Sequence, residues 1–386
     1  MLLSIIVYTT TALILYLLAQ HVAMRDNAYY IVKRKHLPMN CWELVLSYIV
    51  FCFIAGARYN VGVDHLAYLE EYLSMQNKGV LLKDTYEEGF VFITSVFAKI
   101  GFHYFFYFAF WGFLQIYFIY RACKNEKYIL PYIALSIILG TYFLGWMNGV
   151  RQSVVACFFV YAVNYIEKKK LLPYIIGVAI AFTIHRSAVM LLPFFLLGLK
   201  PIVLKNRYVN YAIVASCIFL GSNPLWISAT ESVSGFLQII GYDAYSENYS
   251  NLIDITNFRD TAWGPSRIGV LLSELIVIFY YPKIREYFSE NRKIDIYFFL
   301  FFIGVCFYNL LINTSHIFLR PVEFLTIFSL PMSAFTLYYL KITNNTIWFT
   351  TLCVLLFTYI YIEVYKSIIM PSEVLETTLY KFFFFN

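Results

Sequence analysis

Apolar stretches approaching ~20 residues recur along the whole of this 386-residue chain, and arginines stand at their borders. Arg58, Arg151, Arg186, Arg267 and Arg320 each adjoin such a stretch. An arginine at the centre of a membrane helix costs about 3 kcal/mol on insertion scales, so its default place is a bundle interior or an aqueous cavity. Only 13% of the residues are charged and 61% are hydrophobic, whereas soluble domains average about 25% charged. The runs are long and do not alternate, which predicts helices rather than a barrel. The expected fold class is therefore all-α, a polytopic integral membrane protein forming a single membrane domain over residues 1–386. The run Leu2 to Ala19 lacks a basic leader and a small-residue cleavage site, so it reads as a retained helix.

Loop charge assigns the sides. Apolar segments lie near 2–20, 42–57, 88–101, 103–120, 128–146, 149–166, 171–184, 187–199, 208–222, 266–281, 296–313, 319–340 and 346–365. The basic connections Arg25 to Lys35, Arg121 to Lys127, Lys168 to Lys170, Lys200 to Arg207 and Lys283 to Lys293 are expected on the cytoplasmic side. That holds for all of them only if the short, lysine-bearing segment 88–101 is re-entrant, which membrane segments can be when protein covers them. The scheme predicts about 12 transmembrane helices, one re-entrant segment and both termini outside. It also predicts two extracytoplasmic loops, 58–88 and 223–265. All five border arginines then fall on the extracytoplasmic face, although loop charge alone set the sides.

The polar groups on that face form several clusters. Arg58 ends a helix, and Gly62 permits a turn that presents Asp64. Leu66, Leu69 and Leu73 are spaced for a short amphipathic helix, with Tyr68 beside them. Glu70, Glu71 and Glu87 read as a solvated acidic loop, whereas Asp64 and Glu88 adjoin apolar segments and are the better functional candidates. Asn148 and Arg151 are expected on one face at a helix start, flanked by Gln152; helix amides and a guanidinium suit a phosphate. Snorkelling of Arg151 to lipid headgroups is the plain alternative. His185-Arg186-Ser187 interrupts two apolar stretches, and neutral histidine can serve as acid or base. Arg267 follows Pro265 and Ser266 at a helix start, and Arg320 lies one turn from Glu323, with which it could pair. Loop 223–265 sets Trp226, Tyr242, Tyr245, Tyr249, Phe258 and Trp263 beside Asp243, Asp254 and Asp260, which suits a carbohydrate or an interface belt.

Cys41, Cys52, Cys123, Cys157, Cys217, Cys306 and Cys353 show no paired spacing, which argues against a disulfide framework or a zinc site. No metal or other cofactor is expected. The net charge of +6 follows from membrane-flanking loops and does not suggest nucleic acid. Nucleotide, zinc-protease and lipase motifs are absent from the sequence.

The stretches RYNVGVDHLAYLEEY (58–72), YEEGF (86–90), NGVRQSVV (148–155) and IHRSAVMLLP (184–193) together resemble the EpsG-type, Wzy-like polymerases of bacterial surface polysaccharide (O-antigen, capsule or exopolysaccharide). Where such proteins carry Phe-His-Ser, this chain has Ile184-His185-Arg186-Ser187, which puts the role of Ser187 in question. The resemblance implies a GT-C-like membrane glycosyltransferase in the bacterial inner (cytoplasmic) membrane, with its active site facing outward. Donor and acceptor would both be polyprenyl-pyrophosphate-linked oligosaccharides, and a chain-length regulator is an implied partner. The growing glycan would pass to the non-reducing end of a new repeat unit. On that reading Arg151, Arg267, Arg58 and Arg320 bind pyrophosphate, and His185, Asp64 and Glu88 are the candidate catalytic groups. Asn148, Gln152, Ser187 and Tyr68 would contact substrate. A flippase of lipid-linked oligosaccharide and an O-antigen ligase are the alternatives; a flippase is expected to show internal repeats and polar groups through the full membrane depth.

Overall fold

The computed structural model describes residues 1–140, 142–200, 202–226, 263–314, 316–370 and 372–385, so most of loop 223–265 lies outside the described residues, including Tyr242, Asp243, Tyr245, Tyr249, Asp254, Phe258 and Asp260. All regular elements among them are helical. In chain order they are α1 (Leu2–Lys33), α2 (Trp42–Ala57), α3 (His65–Lys78), α4 (Glu88–Ile100), α5 (Tyr104–Ala122), α6 (Leu130–Leu139), α7 (Tyr142–Asn148), α8 (Val150–Glu167) and α9 (Leu171–Ile184). A 3₁₀ stretch, Arg186–Gly198, precedes α10 (Arg207–Gly221), α11 (Pro265–Tyr287), α12 (Lys293–Leu311) and α13 (His316–Thr326). Then come α14 (Ser329–Ile342), α15 (Thr346–Phe357), α16 (Tyr359–Ile369) and α17 (Glu373–Glu376).

Among the described residues, Leu2–Lys33, Lys293–Leu311, Phe318–Ile342 and Thr346–Ile369 are long and apolar enough to cross a membrane. Lys127–Leu139 with Tyr142–Asn148 is a fifth if a bend of 59° is counted within one span. The sequence reads 128–146 as one segment, but Gly140 adopts an extended conformation (φ −88°, ψ −157°) and ends α6 there. Trp42–Ala57, Leu171–Ile184, Arg186–Gly198 and Arg207–Gly221 are apolar too, but shorter, at 10–17 residues. Helix α4 has 13 residues, about 20 Å at 1.5 Å per residue, against a hydrocarbon core of about 30 Å. Gly101 caps it in the left-handed region at φ 77°, so the chain turns at once into α5.

The residues divide into two compact units, Met1–Lys200 with Leu330–Asn386, and Pro201–Ser329. In the first, α8 is buried almost all round, from Val150 to Ile166, as expected of a helix at the centre of a bundle. It packs against α5, α9 and the 3₁₀ stretch, while α1 packs against α2 and α6. The C-terminal residues return to the start of the chain. Tyr380 N–H donates to Ser4 Oγ at 2.9 Å, Tyr380 O–H to Ile54 O at 2.7 Å, and Tyr59 N–H to Lys381 O at 2.8 Å. Both ends of the chain thus sit at the same end of the unit as Arg58. In the second unit, α12 packs against α10, α11 and α13. There Asp295 accepts hydrogen bonds from Tyr281 O–H (2.7 Å) and Arg285 Nε–H (2.8 Å), joining α11 to α12.

Helix α3 forms where the leucine spacing predicts one, but it buries a different stripe. Leu66 and Leu73 are each 37% exposed, whereas Tyr68, Leu69, Tyr72 and Met75 are buried. The aromatic side chains win that face because they meet rings: Tyr72 stacks on Tyr107 of α5 at 4.6 Å, and Tyr68 meets Phe90 of α4 at 6.0 Å. Such pairs contribute about 1 kcal/mol beyond area burial.

Candidate functional site

Three of the sequence stretches singled out above meet at one carboxylate. Glu87 is only 8% exposed. It forms an ion pair with Arg151, accepts a hydrogen bond from His185 Nδ1 at 3.2 Å and another from the Arg186 backbone N–H at 3.0 Å. The local folding explains each contribution. Glu87 is the N-cap of α4, in extended conformation. Arg151 lies in the first turn of α8, just after Gly149 breaks the chain from α7. His185 is extended (φ −154°, ψ 117°) and stops α9, so its side chain projects from a helix end rather than along a helix face.

Gly89 permits the approach. A Cβ at that position would stand 2.3 Å from Thr183 Oγ1 and 2.7 Å from the Thr183 carbonyl oxygen. Helices α4 and α9 therefore touch through the missing side chain, two residues from Glu87 on one helix and two from His185 on the other. Burial favours the neutral carboxyl at Glu87, but the His185 hydrogen bond, the Arg151 charge and the Arg186 amide outweigh it. Together they hold its pKa down at about 2, so the carboxylate is ionised at any ordinary pH.

An ionised carboxylate only accepts hydrogen bonds, so the proton of His185 belongs on Nδ1. In the neutral imidazole Nε2 then carries the lone pair, and among the described residues that buried atom has no hydrogen-bond partner. Arg151 is held by more than charge. Its guanidinium lies 4.7 Å from the Tyr86 ring centroid and 5.0 Å from that of Phe90, and Tyr68 O–H is 3.5 Å from its Nε. This aromatic cradle fixes a planar cation next to a helix N-terminus, where an anion is favoured.

The other candidates fall in different places. Asp64 is exposed; its backbone N–H donates to Asn148 Oδ1 at 3.0 Å. Asn148 and Arg151 do not share a helix face as expected, because Gly149 places them on separate helices, α7 and α8. Glu88 is exposed on the first turn of α4, and Ser187 is half-buried in the 3₁₀ stretch. Gln152 is 8% exposed and faces the bundle. Arg58 is 1% exposed. It donates to Ala55 O and Met147 Sδ, at 2.8 Å and 2.7 Å, and sits 4.7 Å over the Phe108 ring, so in this conformation its guanidinium is committed to the protein. In the second unit, Arg267 lies 4.2 Å from the Trp263 ring centroid in the first turn of α11, and Arg320 and Glu323 are both exposed on α13.

The residue that the sequence reading passed over is Glu87, placed there in a solvated loop. A signal was present. Phe90, Thr94 and Ala98 are the buried residues of α4, and three positions back from Phe90 lies Glu87, not Glu88. One residue is about 100° of helix rotation, enough to carry Glu88 out to the surface.

The family model described as the EpsG family matches residues 42–380 of this chain. No curated protein and no solved structure matches it.

Proposed function

The chain belongs to the EpsG family, and from that premise we propose that it is a membrane glycosyltransferase that polymerises surface polysaccharide on the extracytoplasmic face. Its donor is a growing glycan on polyprenyl pyrophosphate, and its acceptor is the non-reducing-end hydroxyl of a lipid-linked repeat unit. The observation that carries this reading is the Glu87 carboxylate joined to both Arg151 and His185. It sets a general-base candidate beside a cation, the two groups that glycosyl transfer from a pyrophosphate needs.

In the proposed step the acceptor oxygen forms a bond to the anomeric carbon as the bond from that carbon to the phosphate oxygen breaks. The electron pair of the broken bond leaves with polyprenyl pyrophosphate. The acceptor proton passes to Nε2 of His185, whose orientation and tautomer Glu87 fixes. Arg151 meets the charge that develops on the leaving phosphate. A guanidinium already oriented by Tyr86, Phe90 and Glu87 needs little reorganisation to do so. Arg267 and Arg320, in the second unit, are proposed as pyrophosphate-binding residues. Asp64, Asn148, Tyr68, Gln152 and Ser187 are proposed to contact sugar. Glu88 is the second carboxylate candidate for that role, and Arg58 braces the site from within.

The test is the surface glycan of a deletion strain complemented with wild type or single variants. A polymerase predicts single-repeat glycan in the deletion strain and in His185→Ala and Arg151→Ala strains with normal protein levels. Absent surface glycan in the deletion strain supports a flippase instead, and long polymer left unattached supports a ligase. Normal chain length in both variants overturns the site assignment.

A further inference from the structure

A second feature of the first unit has no part in that chemistry. A cavity of about 970 Å³ runs between α2 and α5, in the size range of ligand pockets. Most of its wall is apolar or aromatic; toward the C-terminal end of α5 it is formed by Tyr48, Ile49, Cys52, Phe113, Tyr117 and Arg121. Two polar groups at this end lack the partners such groups usually find. Among the described residues Arg121 pairs with no carboxylate, and its contact is the Tyr117 ring at 5.6 Å. Arg25, Arg151 and Arg285, by contrast, each hold an acidic partner. The Tyr48 hydroxyl is buried with no hydrogen-bond partner among the described residues, although its ring meets Phe113 at 5.7 Å and Tyr117 at 6.2 Å. A buried hydroxyl left unsatisfied costs about 1–3 kcal/mol.

A guanidinium and a hydroxyl donor above an apolar channel fit a ligand with an anionic, hydrogen-bond-accepting head and a hydrocarbon tail. The position along α5 selects among such ligands. Trp111 of α5 meets Phe90 beside Arg151, at 5.7 Å. Arg121 lies further along the same helix by about 15 Å at roughly 1.5 Å per residue, which is about one leaflet. A pyrophosphate engaged at Arg151 therefore does not reach Arg121. The basic connection Arg121 to Lys127 marks the cytoplasmic leaflet, where anionic headgroups are drawn to basic side chains. We propose that the Arg121 end of the α2–α5 groove is a binding site for an anionic phospholipid. Its phosphate oxygens accept from Arg121 and Tyr48, and one acyl chain lies along Ile49, Cys52 and Phe113.

The experiment is native mass spectrometry of the purified full-length protein titrated with phosphatidylglycerol and with phosphatidylcholine of the same chains. Phosphatidylglycerol is expected to bind more tightly, and Arg121→Gln to erase that preference by about fivefold, the effect of one basic side chain near a charged lipid surface. Tyr48→Phe is expected to weaken binding of phosphatidylglycerol while the melting temperature in lipid-free detergent stays unchanged. A separate reading uses Ile49→Trp at an exposed lining position, whose fluorescence brominated phosphatidylglycerol should quench more than brominated phosphatidylcholine does. An unchanged lipid preference in Arg121→Gln, equal quenching by both lipids, or displacement of phosphatidylglycerol by a polyprenyl phosphate would each overturn the proposal.

Discussion

Gly89 and Thr183 touch so closely that a Cβ on the glycine would stand 2.3 Å from the threonine hydroxyl oxygen, and this contact sets Glu87 beside His185. Gly89→Ala must push α4 away from α9, because the Thr183 backbone oxygen, 2.7 Å from the same point, cannot rotate aside. The expected cost is about 1–3 kcal/mol of stability, the usual range for overpacking, together with loss of long polymer. Thermal melting in detergent and glycan banding measure the two. Wild-type chain length in Gly89→Ala would show that the close packing is not needed.

Glu87 and Glu88 are neighbours with opposite expected behaviour. Glu87→Gln removes the charge shared by Arg151 and His185. Breaking one partner of a buried pair costs about 3–5 kcal/mol, with the lower end expected because the Arg151 side chain is 18% exposed. Polymer formation should fall by at least about 100-fold, the contribution typical of a positioned base. Glu88→Gln, at an exposed position, should shift stability by no more than about 0.5 kcal/mol. The reverse order of effects in a chain-length assay would make Glu88, not Glu87, the carboxylate that orients the site.

Arg58 and Arg151 should separate stability from activity. Arg58 is enclosed by Ala55 O, Met147 and Phe108, and a lysine cannot reproduce its forked donors. Arg58→Lys is expected to lower the melting temperature, whereas Arg151→Lys should melt near wild type and lose polymerisation. A melting temperature unchanged in Arg58→Lys would remove its bracing role.

His65 predicts a pH dependence. The imidazole is fully buried at the start of α3, and its two ring nitrogens have no hydrogen-bond partner among the described residues. Burial first, and then the Arg58 charge, push its pKa down to about 2, against about 6.5 in an unfolded chain. Below pH 6.5 the unfolded chain takes up a proton that the folded chain refuses. Stability is therefore complete above that pH and falls as the pH drops, by at most about 1.4 kcal/mol per unit. Glu87 adds no slope there, because its depressed pKa matters only below about 4.5. Melting curves from pH 7 to 5 should flatten in His65→Phe; an identical slope in that variant would show His65 is not the group responsible.

Much of this protein could be read from its residues in order. Apolar runs gave helices because a bilayer demands internally bonded backbone, and the short segment 88–101 was marked by its length and its lysine. Arg151 and His185 stood out because a charge or an imidazole between apolar runs is costly unless it is used. What sequence could not supply was rotation and approach. Whether Glu87 or Glu88 turns inward depends on about 100° of helix rotation, fixed by Phe90 docking against Tyr68 and Trp111. Whether Arg58 faces a ligand or the protein depends on Met147, which is 89 residues away. Local pattern determined which residues would be expensive in a membrane; only packing between distant helices decided which of them would be partners, because that choice is made by ångström-scale contacts that no spacing along the chain records.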